Sequence, residues 1–232
     1  MSTRQDYITA LGSLVKNESD LGEAAQIVAI AIAIAEHSKH RPRIIPEDLA
    51  GSDRRDYPVT LLAAWSDGFS VIKQVEYPID PADEDQVSPV LQDDDWMLYK
   101  KPAGDVLRFL NDKPAATEYS RVTYTAPHAC DDTVCTIKAV DENAVQLLAA
   151  SHFCHMVATY YAQTQDSTVG ADSVDHKSKS SDYAARARVY RKLYFDHLGI
   201  REGETPAASV TRDGDLLASW GSDRLTHPQR YR

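Results

Sequence analysis

Two short stretches gather side chains that bind soft metal ions: His128, Cys130 and Cys135, then His152, Cys154 and His155. Imidazole and thiolate together suit a tetrahedral zinc shell. Neither stretch has the paired C-x-x-C or H-x-x-x-H spacing with which one short element grips an ion. On a helix, residues two apart do not share a face, so Cys154 points away from His152. Ordinary histidines and buried thiols are the better reading, and no metal or cofactor is expected. Hydrolytic and nucleotide chemistry is no better supported. The chain contains no G-x-S-x-G elbow, no P-loop and no G-x-G-x-x-G. No catalytic residue is therefore expected.

The remaining candidates are charged and aromatic. Asp80, Asp83, Glu84 and Asp85, followed by Asp93, Asp94 and Asp95, form an acidic loop. Its prolines and the break after Asp85 do not match a calcium-binding helix–loop–helix, so a solvated acidic loop is the simpler reading. Near the other end Arg186, Arg188, Arg191 and Lys192 stand among Tyr183, Tyr190, Tyr194 and Phe195. Arginines beside aromatics can track a nucleic-acid backbone and stack bases. They also describe an amphipathic helix whose tyrosines pack and whose arginines solvate. A third use joins the two ends, with the basic strip meeting the acidic loop of an adjacent copy in a head-to-tail ring. We rank packing first, ring contact second and nucleic acid third. Trp220 and Tyr231, in the final segment, are candidate aromatic anchors for a partner.

These residues need elements to hold them. Ser2-x-x-Gln5 reads as a capping box, ahead of Tyr7, Ile8, Leu11, Leu14 and Val15 at three- and four-residue steps. Asp20-x-x-Glu23 is a second start signal. The following Ile/Ala run to Ala35 alternates like a strand, yet its alanines, cap and length favour a helix. A helix so apolar all round is expected to be buried or to lie at a subunit interface. From Phe69 the period changes to two: Phe69, Val71, Lys73, Val75 and Tyr77 share one face of a predicted strand. Residues 95–101 and 105–110 flank Pro102-Ala103-Gly104 as a hairpin, and residues 118–126 alternate again. About four antiparallel strands are expected. Asp141 is the expected N-cap of a long helix to about Thr164, and Ser181 that of a last helix, 182–198, stopped by Gly199. The fold class is α+β. The tail from Ile200 has little periodicity but keeps Leu216, Leu217, Trp220 and Leu225, and reads as an arm that orders on a partner.

Bulk properties narrow the function. The 232-residue chain is 43% apolar, enough for a packed core, and carries a formal net charge of −10. A protein that grips nucleic acid usually presents a basic face; this composition points the other way. The longest apolar run, Ala24–Ala35 broken by Gln26, falls short of the roughly 20 residues of a membrane span. The polar first residues carry no secretory signal, and three cysteines suit free thiols in a reducing cytosol better than a disulfide framework. A soluble protein made in the cytoplasm is expected.

One region resembles a known family. The Ala-rich segment 147–163, the small-polar stretch 166–174, then Ser178-Lys179-Ser180-Ser181-Asp182-Tyr183 and the basic–aromatic helix follow one another in order. This resembles the two-helix core of the head–tail connector (adaptor) proteins of tailed bacteriophages, with a looser likeness over the first two helices. The resemblance implies a helical bundle of about four helices, formed by 1–67 and 128–199, with 68–127 as an inserted antiparallel β-domain. Residues 200–232 would be an extended C-terminal arm. It also implies a structural virion protein at the head–tail junction with no enzymatic role. Its partners would be the portal, tail or neck proteins and further copies of itself. Those copies would form a ring, commonly a dodecamer, that encloses DNA without reading its sequence. The sheet departs from the mainly helical members of that family. A different neck or tail-completion subunit, or a metal-dependent DNA-processing enzyme, stays open as an alternative.

Overall fold

The computed structural model describes residues 2–16, 21–83, 88–92, 94–163 and 176–203. Four helices are present among them: α1 (Arg4–Val15), α2 (Glu23–His40), α3 (Ala139–Gln163) and α4 (His176–Leu198). Six strands, β1 (Arg43–Ala50), β2 (Asp56–Pro58), β3 (Ile72–Ile79), β4 (Trp96–Lys101), β5 (Gly104–Phe109) and β6 (Tyr119–Ala126), form two sheets of three. The expected α+β class is what the chain adopts. It divides into two compact units. A helical unit takes in the chain up to Ile44, the Ser66–Ser70 segment and the described residues from Thr125 on; a sheet unit takes in Ile45–Trp65 and Val71–Tyr124.

In the helical unit, Tyr7, Leu11 and Val15 of α1 and Ala29, Ile30, Ala33 and Ile34 of α2 share one core with α3 and α4. The small side chains Ala149, Ala150 and Ala187 are almost fully buried. They allow the α3 and α4 backbones to approach closely enough for Ser151 Oγ to donate to the Ala187 carbonyl at 2.8 Å. Ser180 Oγ donates to the Ala158 carbonyl at 2.9 Å in the same seam. Helix ends follow local chemistry. Gly199 takes the left-handed conformation (φ 70°), and the Gly199 and Ile200 N–H groups return to the carbonyls of the last turn, as in a Schellman stop. The expected stop is thus in place.

Three helix starts differ from the sequence expectation. The cap of α1 is Thr3, whose backbone N–H donates to the Asp6 carboxylate at 2.7 Å, so the box lies one residue later than Ser2/Gln5. Helix α3 starts at Ala139, which puts Asp141 inside the first turn, not at the cap. Helix α4 starts at His176, ahead of Ser181. Asp20 lies outside the described residues.

The sheet unit holds order β1-β6-β3 in one sheet and β2-β5-β4 in the other, in place of a single four-stranded sheet. The hairpin forms as expected: β4 and β5 pair antiparallel from Trp96↔Phe109 to Lys101↔Gly104. Strand β6 also alternates as expected, with Ser120, Val122 and Tyr124 buried. Strand β3 does not. Register shifts between Ile72 and Gln74 and between Glu76 and Ile79 turn Ile72, Val75 and Ile79 inward, leaving Val71 and Lys73 exposed. Strand β1 has no apolar alternation in the sequence, because its inward positions are Arg43, Ile45, Glu47 and Leu49, whereas Ile44 faces solvent. Gly51 follows it where a Cβ would stand 1.9 Å from the Ala115 carbonyl oxygen, so only glycine fits.

Candidate functional site

Three helix ends of the helical unit meet at one carboxylate. Asp141, 3% exposed, lies in the first turn of α3. Arg41, just past the end of α2, donates to its Oδ1 at 2.5 Å, and His197, in the last turn of α4, is 3.0 Å from the same oxygen. A helix carries partial positive charge at its start and partial negative charge at its end. An acid at one start, facing an arginine and a histidine at two ends, therefore complements all three. His37, fully buried, closes the group. Its Nδ1 lies 3.2 Å from the Tyr194 hydroxyl, and its Nε2 stands 4.0 Å from Asp141, beyond hydrogen-bond reach. Burial first, then the neighbouring His128, push the His37 pKa down to about 4, so its ring is neutral at neutral pH. His128 bridges the end of α2 to the segment before α3: Nε2 is 2.9 Å from the Arg41 carbonyl and Nδ1 is 3.0 Å from the Thr136 carbonyl.

A second cluster lies between α2, α3 and α4. Glu36 takes His152 Nε2 at 2.9 Å and the Arg191 guanidinium at 2.7 Å, and Arg191 also pairs with Glu202 at 2.5 Å. The His152 contact, then Arg191, hold the Glu36 pKa down to about 2 against the opposing effect of burial. Both oxygens of Glu36 and Oδ1 of Asp141 are thus engaged within the fold. What these groups do chemically is fasten helices together. Cys154, wholly buried on α3, has its thiol pushed up to about 11 by that burial. Among the described residues no group of three or more His, Cys, Asp and Glu is arranged to hold a metal ion.

The charged candidates fall into separate roles. Arg186, Arg188 and Lys192 are exposed on α4, with the Arg186 guanidinium 5.5 Å from the Tyr183 ring centre, whereas Arg191 serves the Glu36 cluster. Asp94 is exposed. Asp95 accepts from the Gln92 N–H at 3.1 Å and from Asn111 at 2.7 Å, shaping the turn into β4. Asp80 shapes another turn, accepting from the Ala82 N–H at 3.0 Å. Asp93, Glu84, Asp85, Trp220 and Tyr231 lie outside the described residues.

An apolar surface adds to these. On α2 the inward positions are Ala29, Ile30, Ala33 and Ile34, while Ala24, Val28, Ala31, Ile32 and Ala35 face out with no charge among them. Val28 is 50% exposed and Ile32 41%. The sequence marked this helix as apolar all round. It gave no sign of the Asp141 and Glu36 clusters, whose members are on the order of a hundred residues apart. The one trace was a set of polar residues, His37, Ser38 and His152, on otherwise apolar helices.

No family model matches this chain, and no curated protein matches it. Among solved structures it is similar to a chain of one described as "Neck of empty GTA particle computed with C6 symmetry". The two are 15% identical, with a TM-score of 0.29, over 76% of this chain and 87% of that one. At that overlap neither fold nor role passes from one to the other. Among the described residues no helix is long and apolar enough to cross a membrane.

Proposed function

We propose that this chain is a non-enzymatic structural virion protein, a head-to-tail connector subunit that assembles with copies of itself between portal and tail. The observation that carries the reading is the helical unit itself. A long Ala-rich α3 packs along a basic–aromatic α4, with α1 and α2 completing the bundle, in the order the connector resemblance calls for. The reading rests on that unit and not on the neck chain named above.

Two surface features and one internal feature support it. The outward face of α2, with Val28 and Ile32, is the sort of charge-free surface that a subunit contact covers. Arg186, Arg188 and Lys192 on α4 and acidic residues such as Asp94 in the sheet unit give one chain patches of opposite sign, as a head-to-tail ring uses. The ion-paired helix ends supply stiffness to a wall that must not yield as a genome passes. In this proposal Arg191 holds the α4 strip in place from within, Asp93 and Asp95 flank the acidic patch, and Trp220 and Tyr231 anchor the C-terminal arm on the portal or a neighbour. The net charge of −10 would repel passing DNA, so that the genome slides without sticking.

Cryo-microscopy of the virion neck tests the reading directly. The expected result is density for α1–α4 repeated around the channel between portal and tail, with α2 or α4 at the contact between copies. Absence of the chain from that vertex overturns the proposal. Tight binding of the purified protein to duplex DNA at low salt would sink the sliding surface.

A further inference from the structure

We propose that Cys130 and Cys135 form an intramolecular cross-strand disulfide when the protein meets oxidising surroundings. The inference does not depend on the connector reading.

The backbone sets the geometry. The Thr136 N–H donates to the Ala129 carbonyl at 2.9 Å and the Asp131 N–H to the Val134 carbonyl at 2.9 Å. Cys130 and Cys135, enclosed between these bonds, form an antiparallel pair that makes no hydrogen bond of its own. Residues opposed in that way have Cα atoms about 4.5 Å apart with side chains on the same face. A disulfide accepts Cα separations of about 4.4–6.8 Å, so no backbone movement is needed. The turn between them is already fixed, because Asp131 Oδ1 accepts the Thr133 N–H at 2.8 Å and the Val134 N–H at 2.7 Å. Both residues are free thiols, with Cys135 buried and Cys130 partly exposed, and Cys130 in hydrogen-bond contact with Cys135. Cys154 lies apart, buried on α3.

The turn is also a fastening point. The Arg4 N–H donates to the Asp131 carbonyl at 3.0 Å, and its guanidinium takes Asp132 by two bonds of 3.0 and 2.7 Å. Tyr7, 1% exposed, has Cys135 and Cys130 as its neighbours. Cross-linking the base of the turn would therefore lock the start of α1 onto it.

The oxidant is a low-molecular-weight disulfide. The Cys130 thiolate attacks one of its sulfurs, forming a mixed disulfide and releasing one small thiol. The Cys135 thiolate then attacks the Cys130 sulfur and releases the second. Two protein S–H bonds give one S–S bond, two electrons reduce the oxidant, and the two protons leave on the small thiols. Burial, then the adjoining Cys135, push the Cys130 thiol up to about 12, which keeps the thiolate scarce. That suits a slow, lasting cross-link and not a rapid peroxide sensor.

The test uses the full chain, incubated with oxidised glutathione, quenched in acid, alkylated and weighed intact. The expected product has the mass of the reduced chain less two hydrogens plus a single alkyl group, since one thiol is left to alkylate. Cleavage before Asp131 and Asp132 should leave the Cys130 and Cys135 peptides joined until reductant is added. Cys154→Ser should keep the product, and Cys135→Ser should replace it by a glutathione adduct on Cys130. Should Cys135→Ser not fold, the mass and peptide linkage of the unaltered chain decide alone. Persistent thiols, a lasting glutathione adduct on the unaltered chain, or a linkage through Cys154 or between chains would overturn the proposal.

Discussion

The two units spend their charged groups in opposite ways. In the helical unit, acids and imidazoles are taken out of water and shared between helix ends far apart in sequence, as Asp141 is among Arg41, His197 and His37. In the sheet unit the pairs lie near the surface and between strands of one sheet. Asp56 takes Arg108 at 2.6 Å and Lys101 at 2.5 Å, and Asp48 takes Arg121 at 2.7 Å, with every partner between about a quarter and two fifths exposed. A strand ladder already satisfies its backbone, so its charges need only decorate it. Helices leave unpaired N–H and C=O groups at both ends, and charges placed there take on a structural role. The difference extends to composition, since no histidine lies between Ile45 and Tyr124.

Acid gives the largest expected effect. The folded pKa of His37 is lowered to about 4, and burial lowers His40 and His128 as well. Below the ordinary value near 6.5 the unfolded chain takes up protons that the folded chain refuses. The contribution is therefore complete above about pH 6.5 and lost as pH falls toward 4; for His37 alone it is roughly 3 kcal/mol. Glu36, lowered to about 2, adds a second loss below about pH 4.5. Hydrogen exchange followed from pH 7 to pH 4 should show α2, α3 and α4 opening while β4–β5 and β6 stay protected. Equal loosening of both units would break the comparison.

Asp141→Ala comes next, at about 3 kcal/mol. It leaves the ends of α2 and α4 facing each other without their acid, and the partial exposure of Arg41 and His197 keeps the cost at the low end for a buried pair. Urea unfolding measures it. Gly51→Ala should cost about 2 kcal/mol in the sheet unit, by forcing a methyl group against the Ala115 carbonyl. Exchange in β6, next to the Gly51 N–H bond to Glu118, should report it first. Asp56→Ala is expected to cost only about 1 kcal/mol, because its partners remain hydrated. A loss there as large as that of Asp141→Ala would show that the surface pairs matter as much as the buried ones.

Elements whose signal is local were legible in the sequence. The Pro102-Ala103-Gly104 turn, the alternation of β6 and the Gly199 stop each depend on a few adjacent residues, and each stands where it was expected. Strand β3 departs from its sequence pattern because bulges reset its period, and β1 carries no such pattern because its inward face includes Arg43 and Glu47. Asp141 looked like a cap by type and place, but the helix had already begun at Ala139.

The α+β class, the Ala-rich and basic–aromatic helices and the excess of negative charge follow from the order of residues alone, since composition and periodicity are properties of the chain. Which polar groups would be buried together was decided only by folding. Glu36 meets His152 and Arg191, and Asp141 meets Arg41 and His197, because close packing of α3 against α2 and α4 brings those side chains together and takes much of their surface from water. Local pattern carries no record of a neighbour on the order of a hundred residues away.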